Sequence, residues 1–73
     1  MATLLLDAEV EARVDRAARR VEQIGVSRTW IAGRISRSRQ NVTEVLNKTT
    51  SSPGTLVLIE NLLDDVEAGR VAM

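Results

Sequence analysis

The sequence predicts a compact, all-α domain of four to five helices. Its 73 residues suffice for one domain, which we expect to span residues 1–73. Apolar residues recur at helical spacing along the whole chain, and no segment shows the two-residue alternation of a strand. Serine and glycine residues stand where helices of this spacing would begin and end. We therefore expect helices near residues 5–24, 28–34, 39–46 and 55–68.

The first helix is predicted from a narrow apolar stripe with charged residues around it. The stripe consists of Leu6, Val10, Val14, Ala17, Val21 and Ile24. Such a stripe is typical of an amphipathic helix that packs one face on a core. The helix should begin before Leu6, with Thr3 and Asp7 as rival N-caps. Gly25 follows the last stripe residue, so we expect it to end the helix in a left-handed conformation.

Two short helices with a polar turn between them are predicted next. Ser27 is a suitable N-cap for a helix that carries Trp30, Ile31 and Ile35. Residues 35–38 form a break of turn length, after which Ser38 can cap a third helix through the amide of Gln40 or Asn41. The apolar residues of the third helix cluster on one side; they are Val42, Val45 and Leu46.

The last helix follows a loop at residues 47–54 that is polar and ends in Pro53-Gly54. It begins either at Thr55 or at Ser52, with Pro53 as the first helical residue. Its core stripe consists of Leu56, Ile59, Leu63 and Val66. Leu58 and Leu62 make the apolar arc wider than one core face requires. Gly69 is expected to end the helix.

The composition excludes several classes of function. The chain has no cysteine, histidine or tyrosine, so disulfides are excluded and the usual zinc-ligand spacings are absent. We expect no metal, no cofactor and no enzymatic activity, because no nucleophile is paired with a base. No apolar run has the length of a signal-peptide core or a membrane span. We expect a cytoplasmic protein with no membrane partner and no small-molecule effector.

The charge is balanced overall but unevenly distributed. The formal net charge is zero, composed of −1 over residues 1–26, +4 over residues 27–48 and −3 over residues 49–73. A basic segment between acidic flanks can be an electrostatic contact surface for the phosphates of a nucleic acid. It can equally be an ordinary solvated face rich in arginine, and the charge alone does not decide between the two.

Residues 25–47 carry a recognisable pattern, GVSRTWIAGRISRSRQNVTEVLN. Two short helices joined by a three- to four-residue turn describe a helix-turn-helix, here at residues 27–47. The spacing of Gly25, Ser27, the Ile31-Ala32 pair, Ser38 and the apolar residues of the third helix resembles that of the phage Cro/repressor-type helix-turn-helix family, also called the xenobiotic-response-element family. The resemblance covers residues 20–66, including Pro53 and the apolar helix after it.

Three positions depart from the family pattern. Ser36 stands at the usual turn glycine, Arg37 at the apolar residue that follows it, and Lys48 at the glycine after Asn47. A serine adopts a left-handed turn conformation only with some strain. The exact turn geometry therefore stays open, whereas the lambda-repressor-like DNA-binding fold is what the resemblance implies.

The resemblance also implies which residues contact DNA. The helical wheel of residues 39–46 divides them into candidates for base contacts and candidates for backbone contacts. Residues of the first turn and of the side opposite the apolar cluster are candidates for base contacts; these are Arg39, Gln40, Asn41 and Glu44. The candidates for backbone contacts are Arg28, Ser38, Thr43, Asn47 and Lys48.

Each assignment has an alternative. Asn41 can instead bond back to Ser38, and Glu44 can hold Arg39 or Arg37 in place. Trp30 is interpreted as a packing residue, with a contact to DNA or to a partner as the alternative. Arg34 and Arg37 are either phosphate contacts or solubilising charges.

These observations predict a sequence-specific regulator of transcription, in the first place a dimeric repressor. A module this small reads few base pairs, so we expect a homodimer on a pseudo-palindromic operator in double-stranded DNA. The resemblance implies dimerisation through the last helix, at residues 55–68, to which Leu58 and Leu62 would contribute. It also fits an origin in a phage or mobile element. The alternative is a helical module that binds a protein, such as an antitoxin or an accessory regulator.

Overall fold

The computed structural model describes residues 8–50 and 52–71, which contain four α-helices and no strand. The helices are α1 (Ala8–Ile24), α2 (Arg28–Ile35), α3 (Arg39–Leu46) and α4 (Pro53–Glu67). The all-helical prediction is confirmed, and the bounds of α2 and α3 agree with the predicted ones to within one residue. The expected start of the first helix, with Leu6 and the rival caps Thr3 and Asp7, lies outside the described residues.

No helix in the described part of the chain is long and apolar enough to cross a membrane.

The core draws apolar side chains from all four helices. Its buried members are Val14, Ala17, Val21, Ile31, Ala32, Val42, Val45, Leu46, Leu56, Ile59, Leu62 and Leu63. Helix α4 contacts each of the other three helices, and its Ile59 and Leu63 are fully buried. The apolar stripes of α1 and α3 therefore pack against that of α4. This arrangement holds the polar side of α3 away from the core.

Serine caps begin both short helices, as predicted. The backbone N–H of Trp30 donates to Ser27 Oγ at 3.0 Å. The N–H of Asn41 donates to Ser38 Oγ, also at 3.0 Å. Each hydroxyl oxygen satisfies an N–H group that has no partner within the helix. The second cap starts α3 at Arg39 and so places residues 39–41 in its exposed first turn.

The turn between α2 and α3 contains a left-handed residue at Ser36, the geometry that the sequence left open. Ser36 has φ 57° and ψ 43°, and the N–H of Arg37 donates to the carbonyl oxygen of Ala32 at 3.0 Å. Lys48 also has a positive φ, of 63°. Both residues stand where the resembled pattern has glycine. Because a side chain crowds the backbone in this conformation, each position carries strain that glycine would not.

Ser36→Gly is therefore expected to raise the free energy of unfolding by about 0.5–1 kcal/mol. The relief of left-handed strain, about 1–2 kcal/mol, exceeds the extra entropy that glycine loses on folding, about 0.5–1 kcal/mol. Urea denaturation followed by circular dichroism measures the difference. Gly25→Ala is the opposite control, since Gly25 has φ 85° and alanine should be destabilising there. A lower stability for Ser36→Gly would show that the turn has another conformation in solution.

The start of α4 follows the second of the two predicted alternatives. Ser52 occupies the N-cap position and Pro53 is the first helical residue. At the other end Gly69 has φ 76° and follows the helix, as predicted.

The outer side of α4 differs from the prediction. Leu62 is only 8% exposed and belongs to the core of its own chain. This burial argues against the expectation that Leu62 forms part of a dimer face, because the side chain is already covered by this chain. Leu58 is half-buried, and its neighbour Val57 is 43% exposed. The apolar surface left on α4 is smaller than the sequence suggests and is centred on these two residues.

Candidate nucleic-acid interface

Helix α3 presents a polar face opposite its packing side. Val42 and Val45 are buried, whereas Arg39 and Gln40 are exposed and Thr43 and Glu44 are half-buried. A shallow, open depression is lined by Arg39, Gln40, Thr43 and Glu44. The sequence predicts base contacts for three of these four residues and a backbone contact for the fourth. The geometry brings all four together on one accessible surface.

Ion pairs divide the cations of the described chain into two groups. The paired cations lie in or beside α1 and α4, in the pairs Arg13–Glu60, Arg20–Asp64, Arg20–Glu67, Lys48–Asp15, Lys48–Glu11 and Arg70–Asp65. Among the described residues, no carboxylate forms an ion pair with Arg28, Arg37 or Arg39, nor with Arg16 and Arg19 on α1. Within the described chain, positive charge is thus neutralised where α1 faces α4, and it is left unpaired at Arg28, Arg37 and Arg39 in the α2–α3 segment as well as on the outer side of α1.

The structure places Lys48 in the paired group. Its Nζ lies 2.9 Å from Asp15 Oδ1 and 3.5 Å from Glu11 Oε1, both on α1. The hydrogen bond to Asp15 raises the pKa of the Lys48 ammonium, although partial burial opposes this shift. These ion pairs argue against the prediction that Lys48 contacts the DNA backbone, because its ammonium group is directed toward carboxylates of α1. Without it, residues 27–47 carry four arginines against Glu44, a net charge of +3.

Asn41 also departs from its predicted role. Its Oδ1 accepts a hydrogen bond of 2.8 Å from the hydroxyl of Thr55, at the start of α4. Bidentate recognition of adenine needs both the oxygen and the nitrogen of the amide, and the oxygen is already engaged. The bond from Asn41 back to Ser38, offered as the alternative, is present, but the backbone N–H of Asn41 makes it and the side chain bonds to Thr55 instead.

The remaining predicted contacts stay available. Glu44 forms no ion pair with Arg37 or Arg39, so the interpretation of Glu44 as a support for those arginines is not borne out by its contacts. Asn47 is exposed just after α3. Ser38 accepts one bond from the backbone, and its hydroxyl hydrogen can still donate to a phosphate oxygen.

Trp30 and Arg34 form a separate contact on α2. Trp30 is half-buried and packs against the core, in agreement with its interpretation as a packing residue. The Arg34 guanidinium carbon lies 5.2 Å from the centre of the indole ring, within the range of a cation–π interaction. This contact gives Arg34 a structural role that the sequence left open.

Two residues gain importance: Arg37, for which the sequence left a phosphate contact and a solubilising charge as alternatives, and Thr55, to which it gave no role in the site. Arg37 is exposed in the turn that leads into α3, one residue before the Ser38 cap. In the sequence, Arg37 could have been singled out because it is charged at a position where the resembled pattern has an apolar residue. Thr55 is 2% exposed, and it is the buried polar residue of the described chain. Its signal is weak, because a threonine in the first turn of a helix is common.

Comparisons with protein-family models, with curated proteins and with solved structures found no match to this chain.

Proposed function

We propose that α2, the turn and α3 form a DNA-binding helix-turn-helix that places α3 in the major groove of double-stranded DNA. The observation that carries the proposal is the pairing pattern of the cations. Arg28, Arg37 and Arg39 are exposed and have no carboxylate partner among the described residues. Arg39 belongs to the polar face of α3, Arg37 lies in the turn before that helix, and Arg28 lies at the start of α2. Unpaired cations around an exposed helix of suitable length supply the phosphate attraction that such binding needs.

The side chains of α3 have the chemistry for reading base edges. Gln40 can donate to and accept from adenine, Arg39 can donate two hydrogen bonds to guanine, and Glu44 can accept from cytosine. All three line the same depression. Residues near the N-terminus of a recognition helix reach deepest into the groove, which gives Gln40 and Arg39 the leading roles. Asn41 is left out of base reading because of its bond to Thr55.

A second group of residues would position the protein without reading sequence. Arg28 lies in the first turn of α2, and Arg37 and Ser38 precede α3. In this docking Thr43 and Asn47, farther along α3, would lie near the phosphates that border the groove. Phosphate contacts of this kind fix register and orientation on the duplex.

The proposed activity is repression of transcription by a homodimer on a pseudo-palindromic site. One module reads few base pairs, and a two-fold pair doubles the site. With Leu62 buried, the apolar contact surface of the dimer would be Val57 and Leu58 on α4. The alternative, a module that binds another protein, would use the same exposed face of α3.

Arginine-to-alanine substitutions test the phosphate contacts directly. Arg37→Ala and Arg28→Ala should each reduce the slope of log affinity against log salt by about 1 for every phosphate that is no longer neutralised, and so by about 2 in a dimer. Lys48→Ala is the matched control, since it also removes one cation, but one that is paired with Asp15. Its salt slope should stay that of the wild type. Fluorescence anisotropy with labelled duplex DNA at four salt concentrations gives the slopes.

Equal salt slopes for all three variants and the wild type would contradict the proposed phosphate contacts of Arg28 and Arg37. The absence of any salt-dependent affinity for duplex DNA would favour the protein-binding alternative.

A further inference from the structure

A chain of side-chain hydrogen bonds links the first turn of α4 to the first turn of α3. The Ser52 hydroxyl donates to Thr55 Oγ1 at 2.9 Å, and the Thr55 hydroxyl donates to Asn41 Oδ1 at 2.8 Å. Thr55 is 2% exposed, while Ser52 and Asn41 are half-buried. Within the described chain every buried side-chain oxygen and nitrogen has a hydrogen-bond partner. The three residues therefore form a satisfied polar connection at the edge of the core.

Ser52 takes part in this connection and does not cap the backbone of its helix. Ser52 stands at the N-cap of α4, yet its side chain makes no hydrogen bond to the backbone of that helix. An N-cap serine usually accepts a hydrogen bond from the second or third N–H of its helix. Ser27 and Ser38 both do so in this protein. At Ser52 the hydroxyl is directed into the link with α3 instead.

A directional link matters here because the other contacts of α3 are apolar. Val42, Val45 and Leu46 anchor the helix to the core, and hydrophobic contacts have no preferred direction. A hydrogen bond constrains both distance and angle. A rotation of α3 by about 20° about its axis would move side-chain ends, about 5–6 Å from that axis, by about 2 Å. Such a shift would break the Thr55–Asn41 bond and displace Gln40 from its target.

We infer that Asn41 is a positioning residue: through Thr55 and Ser52 it sets the rotation of α3, and thereby determines which bases Gln40 and Arg39 reach. The inference rests on the proposed DNA binding. It states that the α3–α4 link determines how strongly the protein prefers its specific site over other DNA. Breaking the link should leave the phosphate contacts of the arginines in place, because Arg28 and Arg37 lie outside it. Specific and non-specific binding should therefore respond differently.

Two substitutions of Thr55 separate hydrogen bonding from packing. Thr55→Val keeps the shape of the side chain and removes the hydroxyl, whereas Thr55→Ser keeps the hydroxyl and removes the methyl group. We expect Thr55→Val to lower the ratio of affinities for the selected site and for scrambled DNA roughly tenfold, as coupling within one hydrogen-bond network allows. The salt slope on scrambled DNA should not change. Thr55→Ser should keep the wild-type ratio even where its thermal stability is lower.

Asn41→Ala completes a double-mutant cycle with Thr55→Val. If Asn41 acts through Thr55, the double variant should lose no more selectivity than either single variant. Additive losses of selectivity would overturn the positioning role, because Asn41 would then contact DNA independently. A ratio within twofold of the wild type for Thr55→Val would also overturn it.

A measurement without DNA separates this inference from the proposed function. Residual dipolar couplings of backbone amides report the orientation of α3 relative to α4 in solution. The orientation should change in Thr55→Val and be retained in Thr55→Ser. An unchanged orientation in Thr55→Val overturns the inference. A changed orientation in a protein that binds no duplex DNA upholds the α3–α4 link and rejects only the DNA-binding function.

Discussion

Leu63→Ala should lower the free energy of unfolding by about 2–5 kcal/mol, the range for removing a fully buried leucine side chain. Leu63 has no exposed surface and lies on α4, the helix that contacts the other three. The substitution removes apolar burial and leaves a cavity that the surrounding helices fill only in part. A chain of 73 residues has a total stability of about 4–11 kcal/mol. The variant should therefore be substantially unfolded under conditions in which the wild type is folded.

Val57→Ala is the control within the same helix. Val57 is 43% exposed, so its truncation should change the free energy of unfolding by no more than about 0.5 kcal/mol. Urea titrations of both variants at low protein concentration give the comparison. Similar midpoints for Leu63→Ala and the wild type would mean that α4 does not form the centre of the core in solution.

Gln40→Ala should cost about 1–3 kcal/mol in binding to the specific DNA site. Gln40 is exposed in the first turn of α3, and its amide supplies the donor and acceptor that match adenine N6 and N7. The loss of affinity for scrambled DNA should be much smaller, since the arginines that attract phosphate are unchanged. Stability should hardly change, because alanine is a strong helix former at an exposed position.

The measurement compares affinities for the selected site and for scrambled DNA at one salt concentration. Gln23→Ala is a matched control, since Gln23 is an exposed glutamine on α1, a helix outside the proposed interface. It should bind both DNAs like the wild type. If Gln40→Ala lost affinity equally for the two DNAs, Gln40 would contact only the DNA backbone. An unchanged affinity for both would show that α3 does not read sequence.

Local signals in the sequence predicted most of the fold. Apolar residues at helical spacing predicted the core faces of the helices, and the serine caps at Ser27 and Ser38 predicted where α2 and α3 begin. Ser36 adopts a left-handed conformation where the resembled pattern has a turn glycine, although the sequence left this geometry open. These features depend on interactions between residues at most five positions apart, which a sequence displays directly.

The revised assignments concern contacts between residues far apart in the chain. Lys48 is 33 positions from Asp15, and Asn41 is 14 positions from Thr55. A helical wheel shows that a residue lies outside the packing face of its own helix, but it does not show which other helix lies beside that residue. The burial of Leu62 has the same origin, since the width of the covered arc on α4 depends on how three other helices pack around it.

Selection of bound sequences from a random pool of double-stranded DNA tests the central claim most directly. The wild type should enrich a short motif that recurs in two-fold symmetric halves, with half-site centres about 10 base pairs apart or a multiple of that spacing. Gln40→Ala should relax the preference at one position in each half. No enrichment over the starting pool, at a salt concentration low enough for phosphate contacts to hold, would contradict the proposal that α3 reads DNA.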